Sequence, residues 1–356
     1  MKRIHDGCRL LRALAICAAL GIGVVCSAVG AEGLHPWTHL NFQDDPETFR
    51  FAIVPDRSGG DLRGAFTNAL AKLNLLCPDF VMSVGDLVNG LAPDEEWRRQ
   101  QDELKGMIST VSAPFFVVVG NHDIGASRAA DPDAYSRSLR IWQDHFGQET
   151  YYSFVHKNCL FLILNTSDGR RREFKQQVPI TEEQYAWARK TLKEHEDVRW
   201  TFIFMHQPDA WMWTTWKNFE KNDLGTRKYT VFAGDWHSYL HVRRNNRDYY
   251  VLSVAGGVGC RANRRDKAGP DTVVNKATKS VFRGTEELAG EEYGEMDHIT
   301  WVTMRKDGPV VVNLKLDGIL PGDYLNRANT KSAALKNAPD LDSPSRLGAA
   351  HPGAGK

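Results

Sequence analysis

Between residues 50 and 235 short apolar runs alternate with amphipathic stretches, which is the pattern of strands interleaved with helices. Phe51-Ala52-Ile53-Val54 reads as a strand. Phe66, Leu70, Leu73 and Cys77 then recur at helical spacing, and Phe80-Val81-Met82-Ser83-Val84 is strand-like again. Trp97, Leu104, Ile108 and Val111 predict a second helix before the apolar run Phe115 to Val119. Tyr135, Leu139, Trp142 and Phe146 predict a third, stopped by Gly147. Tyr151 to Phe154 and Leu160 to Leu164 should form a hairpin around Lys157-Asn158. A fourth helix is expected to open at Thr181, with Gln184 completing a capping box, ahead of the strands Trp200 to Met205 and Tyr229 to Ala233. Past residue 237 the helices stop and two hairpins follow: Tyr239 to Val242 with Tyr249 to Val254 around Asn245-Asn246, and Thr300 to Met304 with Val310 to Leu314 around Asp307-Gly308. A helix-rich half followed by a strand-rich half predicts an α/β fold with two sheets packed face to face. Residues 257 to 292, rich in Gly, Arg and Glu, read as a long loop at one rim.

The two ends read differently. Lys2, Arg3, Arg9 and Arg12 precede an apolar run from Ala13 to Val29, the pattern of a signal peptide spanning residues 1–31, with Val29 and Ala31 at the small-residue positions of a cleavage site. A secreted or periplasmic protein follows, with no stable membrane anchor once the signal is removed. The alternative is an uncleaved signal that anchors the chain, since the run approaches the roughly 20 residues needed to span. Residues 321–356 are poor in apolar side chains and are expected to be a disordered tail, leaving 32–320 as the folded domain.

With 45 Lys+Arg against 44 Asp+Glu the formal charge is +1, and loss of the signal, which holds four basic residues and one acidic, makes it −2. No Lys/Arg cluster sits on a recognisable nucleic-acid module, so polynucleotide binding is not expected. Cys77, Cys159 and Cys260 remain after cleavage, and an odd count cannot close a disulfide framework. Cys77, ending a helical pattern, and Cys159, within a strand, read as buried thiols.

Several apolar runs end in the same kind of residue: Asp56 after Phe51 to Pro55, Asp86 in Gly85-Asp86-Leu87-Val88-Asn89, and Asn121 and His122 in Gly120-Asn121-His122-Asp123. His206 ends Phe202 to Met205, and Asp235 and His237 follow Val231 to Gly234. Carboxylates, an amide oxygen and imidazoles gathered at the carboxyl ends of strands would converge on one crevice. A mixed O and N donor set suits Mn, Fe or Zn.

Taken in order, these residues resemble the calcineurin-like metallophosphoesterase family, and the purple acid phosphatases within it, over about residues 50 to 317. The resemblance implies a four-layer αββα sandwich of two mixed β-sheets, with two metal ions (Mn, Fe, Zn or Mg) about 3.5 Å apart and a bridging hydroxide as nucleophile. It makes Asp86 the carboxylate shared by both metals. Asp56 and His237 would serve the first metal and Asn121 and His206 the second; Asp235, where the family has an imidazole, is a further candidate ligand of the second metal, the alternative being a loop carboxylate with that metal lost. His122 would protonate the leaving oxygen, with Asp123 fixing its tautomer. Arg57 and Asn89 are candidate substrate-binding residues: Arg57 could clamp a phosphate or be merely solvated, and Asn89 could be an ordinary turn residue.

Two departures from the family pattern stand out. The family usually has Asp-x-His in its first motif, where this chain has Asp56-Arg57-Ser58, and Gly-His-x-His in its last, where this chain has Gly234-Asp235-Trp236-His237. Purple acid phosphatases also lack the first His but supply a Tyr three residues after the shared Asp, a position held here by Asn89. The function implied is an exported, metal-dependent phosphoester hydrolase acting on a small molecule or a phosphoprotein. The competing reading is a catalytically weakened fold used as a binding module at the cell surface.

Overall fold

The computed structural model describes residues 44–58, 64–90, 93–125, 134–147, 149–168, 178–256, 292–294 and 297–320. The signal peptide, Cys260, nearly all of the 257–292 loop and the 321–356 tail lie outside these residues.

Among the described residues there are twelve strands: β1 (Phe49–Val54), β2 (Phe80–Ser83), β3 (Phe115–Phe116), β4 (Tyr152–His156), β5 (Cys159–Ile163), β6 (Trp200–Phe204), β7 (Tyr229–Ala233), β8 (Tyr239–Arg244), β9 (Arg247–Val251), β10 (Glu292–Gly294), β11 (His298–Met304) and β12 (Pro309–Lys315). The helices are α1 (Ala65–Leu76), α2 (Asp94–Ile108), α3 (Ala134–Phe146), α4 (Glu182–Glu194) and the short α5 (Thr214–Phe219). One sheet has the order β12-β11-β1-β2-β3 and the other β10-β8-β9-β7-β6-β5-β4. Both are mixed: β1, β2 and β3 run parallel, as do β5, β6, β7 and β9, while β11, β12, β8 and β4 pair antiparallel.

Period-two alternation sorts each central strand between two layers. In β1, Phe49, Phe51 and Ile53 face the other sheet, whereas Ala52 and Val54 pack with α1 and α2 residues such as Phe66, Leu70, Trp97 and Leu104. In β5, Cys159, Phe161 and Ile163 enter the same inter-sheet layer, while Leu160 and Leu162 join Tyr185, Ala188 and Leu192 of α4. Helices therefore cover the outer face of each sheet, giving the expected αββα order. Phe161 is the hub of the middle layer, with ring centroids 5.4 Å from Phe51, 5.1 Å from Phe80, 5.0 Å from Phe202 and 4.7 Å from Phe154.

The turns follow their residues. Lys157-Asn158 and Asn245-Asn246 all have positive φ, as two-residue hairpin turns require, and Gly147 (φ 61°) ends α3. Thr181 caps α4 by accepting from the Gln184 amide. Only that half of the capping box forms, because the Gln184 side chain instead brackets the Asn165 backbone at 2.8 and 3.1 Å. Strand pairing of the Phe115 run stops at Phe116, although Val117 to Val119 keep alternating between layers. Cys159 is buried, with its thiol pushed up to about 11 by burial. Cys77 is exposed, contrary to expectation, because it sits one residue beyond α1 in the left-handed cap rather than on the helix's apolar face. His241 pairs with Asp248 at 2.9 Å and stacks on Tyr250, and His298 is buried in β11 against Tyr239, so both pack rather than join the strand-end cluster.

Removing the hub should be costly. Phe161→Ala is expected to destabilise by about 3–5 kcal/mol, measured by denaturant unfolding, because the contacts of a six-carbon ring with both sheets are lost into a cavity that rigid strands cannot close. A loss under about 1 kcal/mol would show that the middle layer is not packed as described.

Candidate metal centre

The parallel strands of both sheets point their carboxyl ends the same way, and the loops leaving β1, β2, β6 and β7, with the Gly120–Asp123 turn, carry the chemistry. Backbone hydrogen bonds lock these loops to one another. The amides of Arg57 and Ser58 donate to the Asp86 carbonyl at 3.1 and 2.8 Å, the Gly234 amide to the His206 carbonyl at 2.8 Å, and the Asp235 amide to Asp56 Oδ2 at 2.8 Å. Asp86 (φ 54°), Asp235 (φ 67°) and His237 (φ 52°) all adopt left-handed backbone, a conformation that survives where the surroundings over-determine it.

Glycines let the loops approach so closely. A Cβ on Gly120 would lie 2.2 Å from Asp86 Oδ1, and one on Gly234 would lie 2.2 Å from Asp56 Oδ1. The signal is visible in the sequence as Gly immediately before Asn121 and Asp235, although its meaning needs the fold.

His206 Nε2 lies 3.0 Å from Asn121 Oδ1, 3.2 Å from Asp86 Oδ1 and 3.4 Å from Asp235 Oδ1, while its Nδ1 is 2.7 Å from the Val84 carbonyl. A carbonyl only accepts, so Nδ1 carries the hydrogen and Nε2 is turned to the cluster. His237 Nε2 lies 3.5 Å from Asp56 Oδ2. Two groups result, Asp56–Asp86–His237 and Asp86–His206–Asp235, each with donor atoms within 4.8 Å of one another and with Asp86 common to both.

Burial makes this arrangement electrostatically expensive. Asp56, Asp86 and His206 are almost wholly removed from solvent. Burial drives Asp56 well above the usual carboxylate range, helped by its neighbours Asp86 and Asp235. Asp86 is also pushed up by burial, but His206 and His122 outweigh that and hold it low. His206 is raised well above the usual imidazole range because Asp86, Asp235 and Asp56 overcome its own desolvation. Protons thus compensate buried like charges, and divalent cations would do the same while releasing those protons. The fit to cations is supported by Asp56 Oδ1, a buried carboxylate oxygen with no hydrogen-bond partner among the described residues. Carboxylate, imidazole and amide oxygen donors together suit Mn, Fe, Zn or Mg.

The other expected residues fall out as follows. His122 is beside the cluster: its amide donates to Asp86 Oδ1 at 2.9 Å, its Nε2 is 3.9 Å from Asp86 Oδ2, and its Nδ1 is 2.8 Å from the Asn89 carbonyl. Asp123 was expected to hold that ring and does not. Its carboxylate accepts from the amides of Asp86 (2.8 Å), Leu87 (2.9 Å), Val88 (3.1 Å) and Gly120 (2.7 Å), clamping the β2 loop to the following turn. Burial and the nearby Asp86 charge raise Asp123 to about 6 despite those amides. Arg57 is not a poised phosphate clamp. Its guanidinium donates to the Leu87 carbonyl at 3.0 Å, pairs with Glu103 at 3.2 Å and lies over the Phe66 ring. Asn89 is exposed and contributes its carbonyl to His122, a backbone role that residue type does not announce. Trp211 and Trp216 are core residues, and Glu220, buried with Arg244, Tyr229 and Tyr249, fastens the segment that follows His206.

The calcineurin-like phosphoesterase profile matches residues 50–239. A serine/threonine-protein phosphatase of Pongo abelii, CPPED1, is 28% identical over 231 residues, covering 60% of this chain and 69% of that protein. Among solved structures, the purple acid phosphatase from yellow lupin (Lupinus luteus) seeds superposes over 77% of this chain and 52% of its own, with TM-score 0.52 and 13% identity. PhoD superposes over 75% of this chain and 68% of its own, with TM-score 0.54 and 10% identity. At such identities the two structures speak to fold alone, and this chain spans about half the length of the lupin phosphatase. On the match across more than half its length, the chain belongs to the calcineurin-like phosphoesterase family.

Proposed function

We propose that this protein is an exported hydrolase that cleaves phosphoester bonds with two metal ions, drawn from Mn, Fe, Zn or Mg, held by the two donor groups that share Asp86. That shared carboxylate is the observation that carries the reading, since a buried side chain common to two donor groups suits a pair of cations better than one. Asp56, Asp86 and His237 would hold one metal, and Asp86, Asn121, His206 and Asp235 the other. The metals supply Lewis acidity toward a phosphoryl group.

The protein's own residues do the rest. Val84 fixes the His206 tautomer so that Nε2 is available as a ligand. Asp123 keeps Asp86 and Asn121 in place through four amides. His122, with Nδ1–H donated to the Asn89 carbonyl, presents Nε2 beside Asp86, from where the ring can give a proton to the departing alkoxide. A binding module has no use for such an acid, which favours the enzyme. The substrate is a small phosphoester or a phosphoprotein, and the name of the Pongo abelii relative supports including phosphoserine and phosphothreonine peptides in any panel. Residues 1–31 act as a cleaved signal, so that the domain of residues 32–320 and the tail 321–356 form the exported protein.

Chelation should abolish turnover of an aryl phosphoester and added Mn²⁺ should restore it. His122→Asn should keep its metals and lose about 10²–10⁴-fold in rate, with the smallest loss for aryl leaving groups that need no proton. Equal losses on aryl and alkyl esters would remove His122 from that role. For export, N-terminal sequencing of protein recovered from its natural compartment should begin at Glu32, and recovery of Met1 or Lys2 would refute cleavage.

A further inference from the structure

The end of the second sheet away from the metal centre also concentrates charge, of the opposite sign, and we infer that it is a separate binding site for a small, multiply charged organic anion. β6 and β7 are parallel neighbours with Thr201 opposite Tyr229, so the residues that lead into them, Arg199-Trp200 and Arg227-Lys228, stand side by side. A cleft of about 580 Å³ opens there, lined by the segment after α4, the Gly225–Lys228 connection and Lys306 of the β11–β12 turn. A volume of that size takes a small molecule. The run of chain from Trp200 to His206 puts the cleft roughly 20 Å from the donor cluster, at about 3.3 Å per residue.

Four cations line the cleft, Arg199, Arg227, Lys228 and Lys306, against two carboxylates, Glu196 and Asp223. Asp223 is already engaged with Arg189 at 3.3 Å, and Glu196 is exposed. Neighbouring like charges call for compensation, yet neither guanidinium pairs with a carboxylate among the described residues. Arg199 donates instead to the carbonyls of Glu47 (2.6 Å), Lys157 (3.1 Å) and Arg305 (3.2 Å). Arg227 donates to those of Leu192 (2.7 Å) and His195 (2.8 Å) at the carboxyl end of α4. Neutral carbonyls fix both half-buried guanidiniums in place without cancelling their charge, and burial holds Arg227 below the usual guanidinium range. Lys228 and Lys306 are exposed and in no ion pair among the described residues, so two flexible ammonium groups can close on an anion above the fixed pair. Trp200, half-buried with its indole N–H spent on Thr230 at 3.2 Å, adds apolar surface to the wall. An anion with a carbon framework therefore fits better than a bare inorganic one.

The test is calorimetric titration of the folded, Mn²⁺-equilibrated protein with benzene-1,3,5-trisulfonate, a ring-bearing trianion with little affinity for metal ions. One molecule should bind per chain, and affinity should fall at least about tenfold in Lys228→Glu/Lys306→Glu, the scale expected when charged contacts are lost. Lys217→Glu makes the same charge change on α5 outside the cleft lining and should stay within about twofold of wild type, because exposed charges at a distance are screened. Sulfate at equal ionic strength should bind more weakly than the trisulfonate. The double variant should unfold at the wild-type denaturant midpoint and turn over an aryl phosphoester at the wild-type rate, since neither lysine is part of the core or of the metal centre. No binding to the wild-type protein, unchanged affinity in the double variant, or an equal loss in Lys217→Glu would overturn the inference. So would sulfate binding as tightly as the trisulfonate, which would leave a site for an adventitious ion only. Trisulfonate that competes with the aryl phosphoester would place the bound anion at the metal centre and overturn it as well.

Discussion

Bringing Asp56, Asp86 and Asp235 into one largely buried crevice is the constraint to which the rest of the structure answers. Carboxylates out of water repel and are desolvated, and an uncompensated buried charge typically costs about 3–5 kcal/mol. The chain meets this with two imidazoles, with amides aimed at carboxylate oxygens, and with donor groups shaped for cations. Asp123 is the fourth carboxylate in the neighbourhood and the one most fully spent on backbone, four amides in all, which ties the Asp86 loop to the Asn121 turn.

Such a crevice needs a frame that does not yield. The inter-sheet layer of Phe49, Phe51, Phe80, Phe161, Phe202, Phe204 and Phe232 supplies it, because the strands that carry all of these rings but Phe161 end in the loops that carry Asp56, Asp86, His206 and Asp235. Side-chain volume in that layer fixes the separation of the two sheets. Sheet separation in turn decides whether His206, from one sheet, reaches Asp86, from the other. Family membership and donor geometry therefore rest on the same packing.

Much of this was legible in the residues. The apolar runs Phe51–Val54 and Leu160–Leu164 were readable as strands, and strand-end Asp, Asn and His marked the donor candidates. What was hidden is instructive. Nothing in residue type reveals that the carbonyls of Val84 and Asn89 orient His206 and His122, since every residue has a carbonyl. The family resemblance made Asp123 the partner of the His122 ring, yet neighbouring side chains in this turn diverge, and Asp123 turns inward to the amides. Pairing of β11 with β1 spans most of the chain and has no local signature. Cys77 followed the helical spacing by one step too many, past the point where the backbone leaves the helix.

The central claim is that Asp86 belongs to two metal sites at once. Elemental analysis of folded Asp86→Asn beside the wild-type protein, both equilibrated with the same excess of Mn²⁺ and desalted, tests it directly. If the carboxylate is shared, metal content falls at both sites and hydrolysis disappears with it. Two metals per chain and near-normal turnover in the variant would contradict it.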